Sequence, residues 1–192
     1  QKWTLFPYTT LFRSEKSIFE LLQSLYSKYE NKIENGHSSF KPEKLFNMIQ
    51  YFSRDGVLKT KLMKLLWYAD FLMYKNYNNS ISGTPYWHKE FGPVPVEHDT
   101  VLGCATGLDV ISVNEEEDLT TGYTKMLVKA KVPYEKRIFT EEEQKILNEV
   151  EEFFISYGSR TISEYSHKEK GWRDTEEEQL ISYTYARDLT ID

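Results

Sequence analysis

The chain contains almost no cysteine and no long apolar run. Cys104 is the single cysteine in 192 residues, and one thiol excludes an intrachain disulfide and any zinc site built from several cysteines. No apolar stretch approaches the about 20 residues that a membrane-spanning helix needs. These absences argue against a disulfide-rich secreted protein and a membrane protein, and they predict a cytoplasmic chain.

The chain also lacks an excess of positive charge. The chain has 24 lysine and arginine residues against 30 aspartate and glutamate residues, a formal net charge of −6. Because nucleic-acid binding needs clustered Lys and Arg to neutralise phosphates, this acidic balance argues against a general nucleic-acid-binding protein. Apolar residues make up 40% of the chain and aromatic residues 15%, which predicts a folded core rather than disorder.

The N-terminal residues do not read as native protein. Residues 4–14 are TLFPYTTLFRS. They match, residue for residue, the translation of part of a widely used short-read sequencing adapter. We therefore interpret residues 1–14 as an assembly scar and exclude them from the fold. From this interpretation we expect the natural chain to begin further upstream.

Three helices are expected in the first half of the remaining chain. Apolar residues recur at helical spacing over residues 17–33. Residues 15–41, this helix and its linker, are either an accessory element or the remnant of a lost upstream domain, and the sequence leaves both open. Pro42 suits the first turn of a second helix. Residues 59–76 predict the main helix, with its inner apolar positions at Leu62, Leu65, Leu66, Ala69, Leu72 and Met73.

Short strands enter in the second half of the chain. Residues 98–108 predict a helix. Residues 109–113 and 124–132 are rich in β-forming residues and predict a hairpin across an acidic turn at residues 114–118.

The last part of the chain returns to helical patterns. Thr140 and Glu143 have the spacing of a capping box at the start of a helix. Residues 161–171 predict a short helix or turn, and residues 176–189 are compatible with a helix. The complete pattern predicts an α+β fold that is mostly α-helical, a single helical domain with a small β-hairpin.

Four motifs follow one another along the chain. They are KLLWYAD at residues 64–70 followed by Lys75, SISG at 80–83 followed by Tyr86, GPVP at 92–95, and SHKEKGW at 166–172. In this order and at these spacings they resemble the signature of the Panacea (SocA-like) domain, which is found in bacterial and phage antitoxins. We assign residues 42–192 to this domain on the basis of the resemblance.

The resemblance implies an antitoxin, a small cytoplasmic protein that binds a co-encoded protein toxin and neutralises it. Some relatives are thought to hand the toxin to a protease, which would then be a second partner, whereas others occlude the toxin. Because such binding is stoichiometric, we predict no catalytic residue, no cofactor and no metal. We expect no membrane partner, and the acidic charge argues against nucleic acid.

Two other functions stay open. One is a small metal-dependent or hydrolytic enzyme that uses Asp70 and His167, although the sequence contains neither an H-E-x-x-H motif nor a nucleophile elbow. The other is a DNA-binding autorepressor that acts through a missing N-terminal region. The acidic balance of the present chain argues against this second alternative.

Asp70 is the most distinctive site residue in the main helix. It lies among apolar and aromatic residues, and a buried carboxylate needs partners. We predict that it accepts hydrogen bonds from backbone N–H groups of the loop at Gly83 or Gly92. In this interpretation Asp70 holds the loop to the helix and has a structural role.

The last motif carries His167, Glu169 and Trp172 within one short segment. We expect Trp172 to pack into the core while the two polar side chains brace the segment. The alternative is a polar cluster that faces a groove.

The aromatic loop between the second and third motifs is the predicted contact surface for a partner. Aromatic side chains on a proline-rigidified loop lose little entropy on binding and are enriched among interface hot spots. The predicted contact residues are Tyr86, Trp87, His88, Phe91 and Pro93. In the alternative, Tyr86 and Phe91 fill the core and leave only Trp87 exposed.

Overall fold

The computed structural model describes residues 15–30, 32–117 and 124–191. The predicted scar at residues 1–14 lies outside them. The observed elements confirm the predicted class, an α+β fold that is mostly helical with small antiparallel sheets.

The α-helices of the described residues are α1 (Glu15–Tyr26), α2 (Pro42–Ser53), α3 (Lys59–Tyr77), α4 (His98–Gly107), α5 (Glu141–Phe153), α6 (Ser159–Ser166) and α7 (Lys170–Arg173). The strands are β1 (Val57–Leu58), β2 (Tyr86–Trp87), β3 (Val94–Pro95), β4 (Ile111–Glu117) and β5 (Thr124–Ala130). Short 3-10 helices occupy Ser27–Tyr29, Ile33–Asn35, Lys136–Ile138 and Tyr183–Asp188.

Helix α3 is the central element, close to the predicted span of 59–76. Every residue from Leu62 to Met73 is buried, because α2, α5, α6, the strands and the C-terminal 3-10 helix cover the helix on different sides. A helix that is surrounded in this way has no solvent face for polar residues. Two ionisable side chains, Lys64 and Asp70, are nevertheless inside it.

The predicted hairpin is present as part of a three-stranded antiparallel sheet in the order β1-β5-β4. The predicted acidic turn at 114–118 is wrong in its position, because Asn114 to Glu117 belong to β4 and pair with β5. β4 lies at the edge of this sheet, where acidic side chains point to solvent at little cost. Asp118 lies outside the described residues. Strand β1, which the sequence did not predict, is only two residues long.

The N-terminal helix packs on the same core as the main helix. It ends at Tyr26, earlier than the predicted residue 33, and its inner side chains Ile18, Leu22 and Tyr26 are buried. The ring of Tyr26 stacks on Phe40 with centroids 3.9 Å apart, and its hydroxyl donates to the carbonyl oxygen of Val96. Helix α1 therefore contacts the chain directly after the GPVP motif.

The C-terminal region differs from its predicted helical form. The predicted short helix at residues 161–171 is present as the end of α6 and the start of α7. The predicted capping box at the start of α5 is confirmed by reciprocal hydrogen bonds between Thr140 and Glu143. The tail predicted as helix-compatible is instead extended where it meets β2. There the N–H of Ile181 donates to the carbonyl of Tyr86 at 2.8 Å, and the N–H of His88 donates to Gln179 at 2.8 Å. The tail thus closes over the aromatic loop.

Candidate functional site

Asp70 is fully buried, and its carboxylate accepts hydrogen bonds from the loop that follows α3. The N–H of Ser82 donates to Oδ1 at 2.9 Å, the hydroxyl of Ser82 donates to Oδ2 at 2.5 Å, and the hydroxyl of Tyr86 donates to Oδ2 at 2.7 Å. The sequence predicted donors from the Gly83 or Gly92 loop. The donors found here are the residue before Gly83 and the first residue of β2.

The turn at Gly83 is fixed on its other side by the linker before α2. Gly83 has φ +73°, and a Cβ there would lie 2.3 Å from the carbonyl oxygen of Ser39, so this position requires glycine. The N–H of Lys41 donates to the carbonyl of Ser82 at 2.8 Å. Burial raises the pKa of Asp70 to about 6, while the bonds from Ser82 and Tyr86 oppose the rise.

Lys64, one and a half turns before Asp70 on α3, is buried without a counter-charge. Its side chain is 1% exposed, and within the described residues its ammonium group has no hydrogen-bond or ion-pair partner. Burial alone lowers the pKa of Lys64 to about 7. The sequence analysis did not identify this residue as a site. A signal was present, because Lys64 shares a helix face with Tyr68 and Phe71, at i+4 and i+7.

Gly92, the first residue of the GPVP motif, packs directly on Lys64. Its φ is +98°, and a Cβ there would lie 2.3 Å from Ser166 Oγ and 2.7 Å from Lys64 Cε. Both the backbone conformation and the close approach therefore require glycine. Through this contact the third motif touches α3 on one side and α6 on the other.

Trp172 joins the aromatic loop to the last motif. Its ring lies between two imidazoles, with centroids 4.4 Å from His88 and 4.0 Å from His167 and interplanar angles of 26° and 17°. Its Nε1–H donates to the carbonyl of Lys89 at 3.0 Å. The sequence predicted that Trp172 packs into the core. The structure instead places it in this stack, where it is half-buried.

Glu169 is 1% exposed and holds the C-terminal tail at Thr190. Its carboxylate accepts the N–H of Thr190 at 3.1 Å, the hydroxyl of Thr190 at 2.5 Å and the hydroxyl of Tyr68 at 3.3 Å. Burial raises the pKa of Glu169, and the Thr190 and Tyr68 bonds oppose the rise. The sequence predicted that His167 and Glu169 together brace this segment. His167 instead stacks on Trp172.

The predicted contact loop presents only part of its aromatic surface. Tyr86, His88 and Pro93 are buried, Trp87 is half-buried, and Phe91 is 63% exposed. The alternative in which Tyr86 and Phe91 both fill the core holds for Tyr86 alone. Of the five predicted contact residues, Trp87 and Phe91 are therefore the two whose side chains keep surface open to solvent.

A pocket of about 540 Å³ lies beside Phe91. Lys64 forms part of its wall together with apolar side chains of α3, β1 and β3, and Ser159 of α6 also lines it. We call it the Lys64 pocket.

The two residues of the alternative enzyme lie in separate clusters. The carboxylate of Asp70 is occupied by Ser82 and Tyr86, whereas His167 stacks on Trp172. Within residues 15–30, 32–117 and 124–191 no group of three His, Cys, Asp or Glu side chains is placed to share a metal ion. The half-buried thiol of Cys104 has a pKa raised by burial, which is the opposite of nucleophile activation.

The four motifs thus meet around one helix. The chain belongs to the SocA-like Panacea antitoxin family, since the family model described as "Antitoxin SocA-like, Panacea domain" matches residues 62–173, more than half of the chain. The match confirms the resemblance drawn from the motifs. No curated protein and no solved structure matches the chain. No helix in the described part of the chain is long and apolar enough to cross a membrane.

Removing the carboxylate of Asp70 is expected to destabilise the fold. Asp70→Ala should lower the free energy of unfolding by roughly 3 kcal/mol or more, because it leaves the buried donors of Ser82 and Tyr86 without an acceptor. Asp70→Asn should cost less, since its amide oxygen still accepts one bond. Urea unfolding of both variants measures this. Asp55→Ala, whose side chain is 93% exposed, is the control and should stay within about 0.5 kcal/mol of wild type. Wild-type stability of Asp70→Ala would contradict the structural role.

Replacing Lys64 is expected to stabilise the fold in a pH-dependent way. The pKa of Lys64 is about 7 in the folded chain and 10.5, the ordinary lysine value, in the unfolded chain. Between these two pH values the folded amine has released its proton while the unfolded amine keeps it, so wild-type stability rises with pH across this window. Methionine does not titrate. Lys64→Met should therefore be more stable than wild type below about pH 7, and the difference should shrink as the pH approaches 10.5.

Urea unfolding at pH values below, within and above this window measures that difference. Lys145→Met, whose lysine side chain is 70% exposed on α5, is the control and should show a small difference that does not vary with pH. A Lys64→Met difference that is equally constant would show that the buried amine does not titrate as described.

Proposed function

We propose that this chain is an antitoxin that neutralises a co-encoded protein toxin by binding it directly in the cytoplasm. The observation that carries the proposal is the family match over residues 62–173. The proposal involves stoichiometric occlusion of the toxin, with no turnover and no catalytic residue.

The aromatic loop supplies the contact surface in this proposal. Phe91 is 63% exposed and lies directly before Gly92-Pro93, so its backbone is held in a turn that packs on Lys64 and α6. Trp172 and the C-terminal tail hold the other side of the loop through Lys89 and His88. A large apolar side chain on a backbone held in this way loses little conformational entropy when a partner covers it.

Trp87 extends this surface. Its ring lies under the ammonium of Lys89, with Nζ 5.1 Å from the ring centroid, and Lys89 also pairs with Glu178. A half-buried tryptophan beside an exposed phenylalanine is the kind of anchor that dominates the affinity of protein interfaces. Charged residues at the margin, such as Lys89 and Glu178, would set the orientation of the partner more than its affinity.

Loss of the exposed ring is expected to abolish neutralisation. Phe91→Ala should weaken the complex with the toxin encoded beside this chain by about 2 kcal/mol, roughly thirtyfold, because a central aromatic anchor is removed while the buried part of the loop is unchanged. Trp87→Ala should act in the same direction. The measurement is growth rescue on co-expression with the neighbouring reading frame, followed by calorimetry on the purified pair without any protease.

The control for this experiment is Phe153→Ala, a phenylalanine of α5 that is 40% exposed outside the loop. It should rescue growth as wild type does. Full rescue by both Phe91→Ala and Trp87→Ala would remove the loop from the interface. Failure of the wild-type chain to bind the neighbouring product, or rescue that occurs only when a protease is present, would contradict direct occlusion.

A further inference from the structure

The Lys64 pocket contains donors without acceptors. The side chain of Lys64 is 1% exposed, and its ammonium has no hydrogen-bond or ion-pair partner among the described residues. The hydroxyl of Ser159, which lines the same pocket from α6, is also buried without a partner in this part of the chain. Buried polar groups are normally paired, and an unpaired charge is the most costly case. Nδ1 of His98, another lining residue, is also buried without a partner in this part of the chain. An acceptor from outside the chain would complete the two donors, Lys64 and Ser159.

The local fold keeps this amine in place rather than releasing it to solvent. Gly92 packs against Cε of Lys64, so the GPVP turn covers the end of this side chain. The positive charge also acts on its surroundings. Burial is the largest cause that lowers the pKa of His98; the charge of Asp99 opposes it, and the charges of Lys59 and Lys64 add to it.

We propose that the Lys64 pocket binds a carboxylate carried on a short apolar stem, with Lys64 as the charged donor and Ser159 as a neutral donor. This proposal does not rest on the antitoxin function. A carboxylate accepts charge-assisted hydrogen bonds from an ammonium, which are stronger than bonds between neutral groups.

The charge and shape of the pocket select the ligand. Among the described lining residues, Lys59 pairs with Asp99 and Lys89 pairs with Glu178, whereas Lys64 has no such partner. Within the described part of the chain, the lining contains no arginine to offer the planar fork that phosphate sites favour. Met63, Val94 and Phe91 supply apolar walls for a short hydrocarbon stem. The ligand is either a free carboxylic acid or the acidic side chain of a bound protein.

The test is an NMR titration of the full chain with sodium pentanoate. Saturable shifts are expected at the amides of Met63, Phe91 and Ser159, whereas pentanamide, the neutral analogue, and inorganic phosphate should produce none. Lys64→Met should bind pentanoate roughly tenfold more weakly or worse, as expected for loss of a hydrogen bond to a charged group. Lys145→Met, which removes the same charge from α5, should bind as wild type does.

Three results would overturn the proposal: no saturable shift of the wild-type chain with pentanoate, equal binding of pentanamide, or unchanged affinity in Lys64→Met. Phosphate binding as tight as that of pentanoate would overturn the choice of carboxylate. If Lys64→Met does not fold, Ser159→Ala replaces it and should weaken pentanoate binding several-fold. An unchanged affinity in that variant would equally count against the site.

A final comparison identifies the source of the carboxylate. If the toxin complex no longer responds to pentanoate, and Lys64→Met weakens the complex while Lys145→Met does not, an acidic side chain of the toxin occupies the pocket. If the complex still binds pentanoate, the ligand is a free carboxylic acid. Both results support the carboxylate assignment.

Discussion

The fold depends on the burial of a carboxylate inside its central helix. α3 is covered on every side, so the charge of Asp70 has no route to water, and its oxygen atoms must be satisfied by protein donors. Ser82 and Tyr86 provide them, which fixes the turn at Gly83 and the start of β2 on the helix surface. The remaining constraints on the aromatic loop, at Gly92 and Trp172, act on a segment that this interaction has already positioned.

Much of this arrangement follows from the sequence. A helix with apolar side chains on several faces and an acid in its middle predicts both its own burial and a partner for the acid, and α3 and Asp70 agree with that prediction. The sequence could not distinguish the exposed side chains of the loop from the buried ones, since almost every side chain there is aromatic or apolar. Their burial depends on the pairing of β2 with β3 and with the C-terminal tail, a long-range contact that leaves no periodic signal.

The same limit explains the other differences. β1 is too short to show an alternating pattern. The acidic residues of β4 resemble a turn in the sequence, because an edge strand can carry charged side chains on its exposed positions. The sequence did not predict the burial of Lys64, because a lysine normally lies on the solvent-exposed face of a helix. Its burial depends on Gly92, far along the chain, which packs against its stem. The helix thus holds two buried ionisable side chains beneath the loop that carries Phe91: Asp70, whose carboxylate is satisfied by the protein, and Lys64, for which we propose a ligand.

The central claim is that the carboxylate of Asp70 holds the aromatic loop on α3. Hydrogen–deuterium exchange of Asp70→Ala, compared with wild type, tests it directly at the amides of Ser82, His88 and Gly92 and, as an internal reference, at those of α5. The account predicts faster exchange at the loop amides, largest at Ser82, with α5 unchanged. Loop amides that exchange as slowly in Asp70→Ala as in wild type would contradict it.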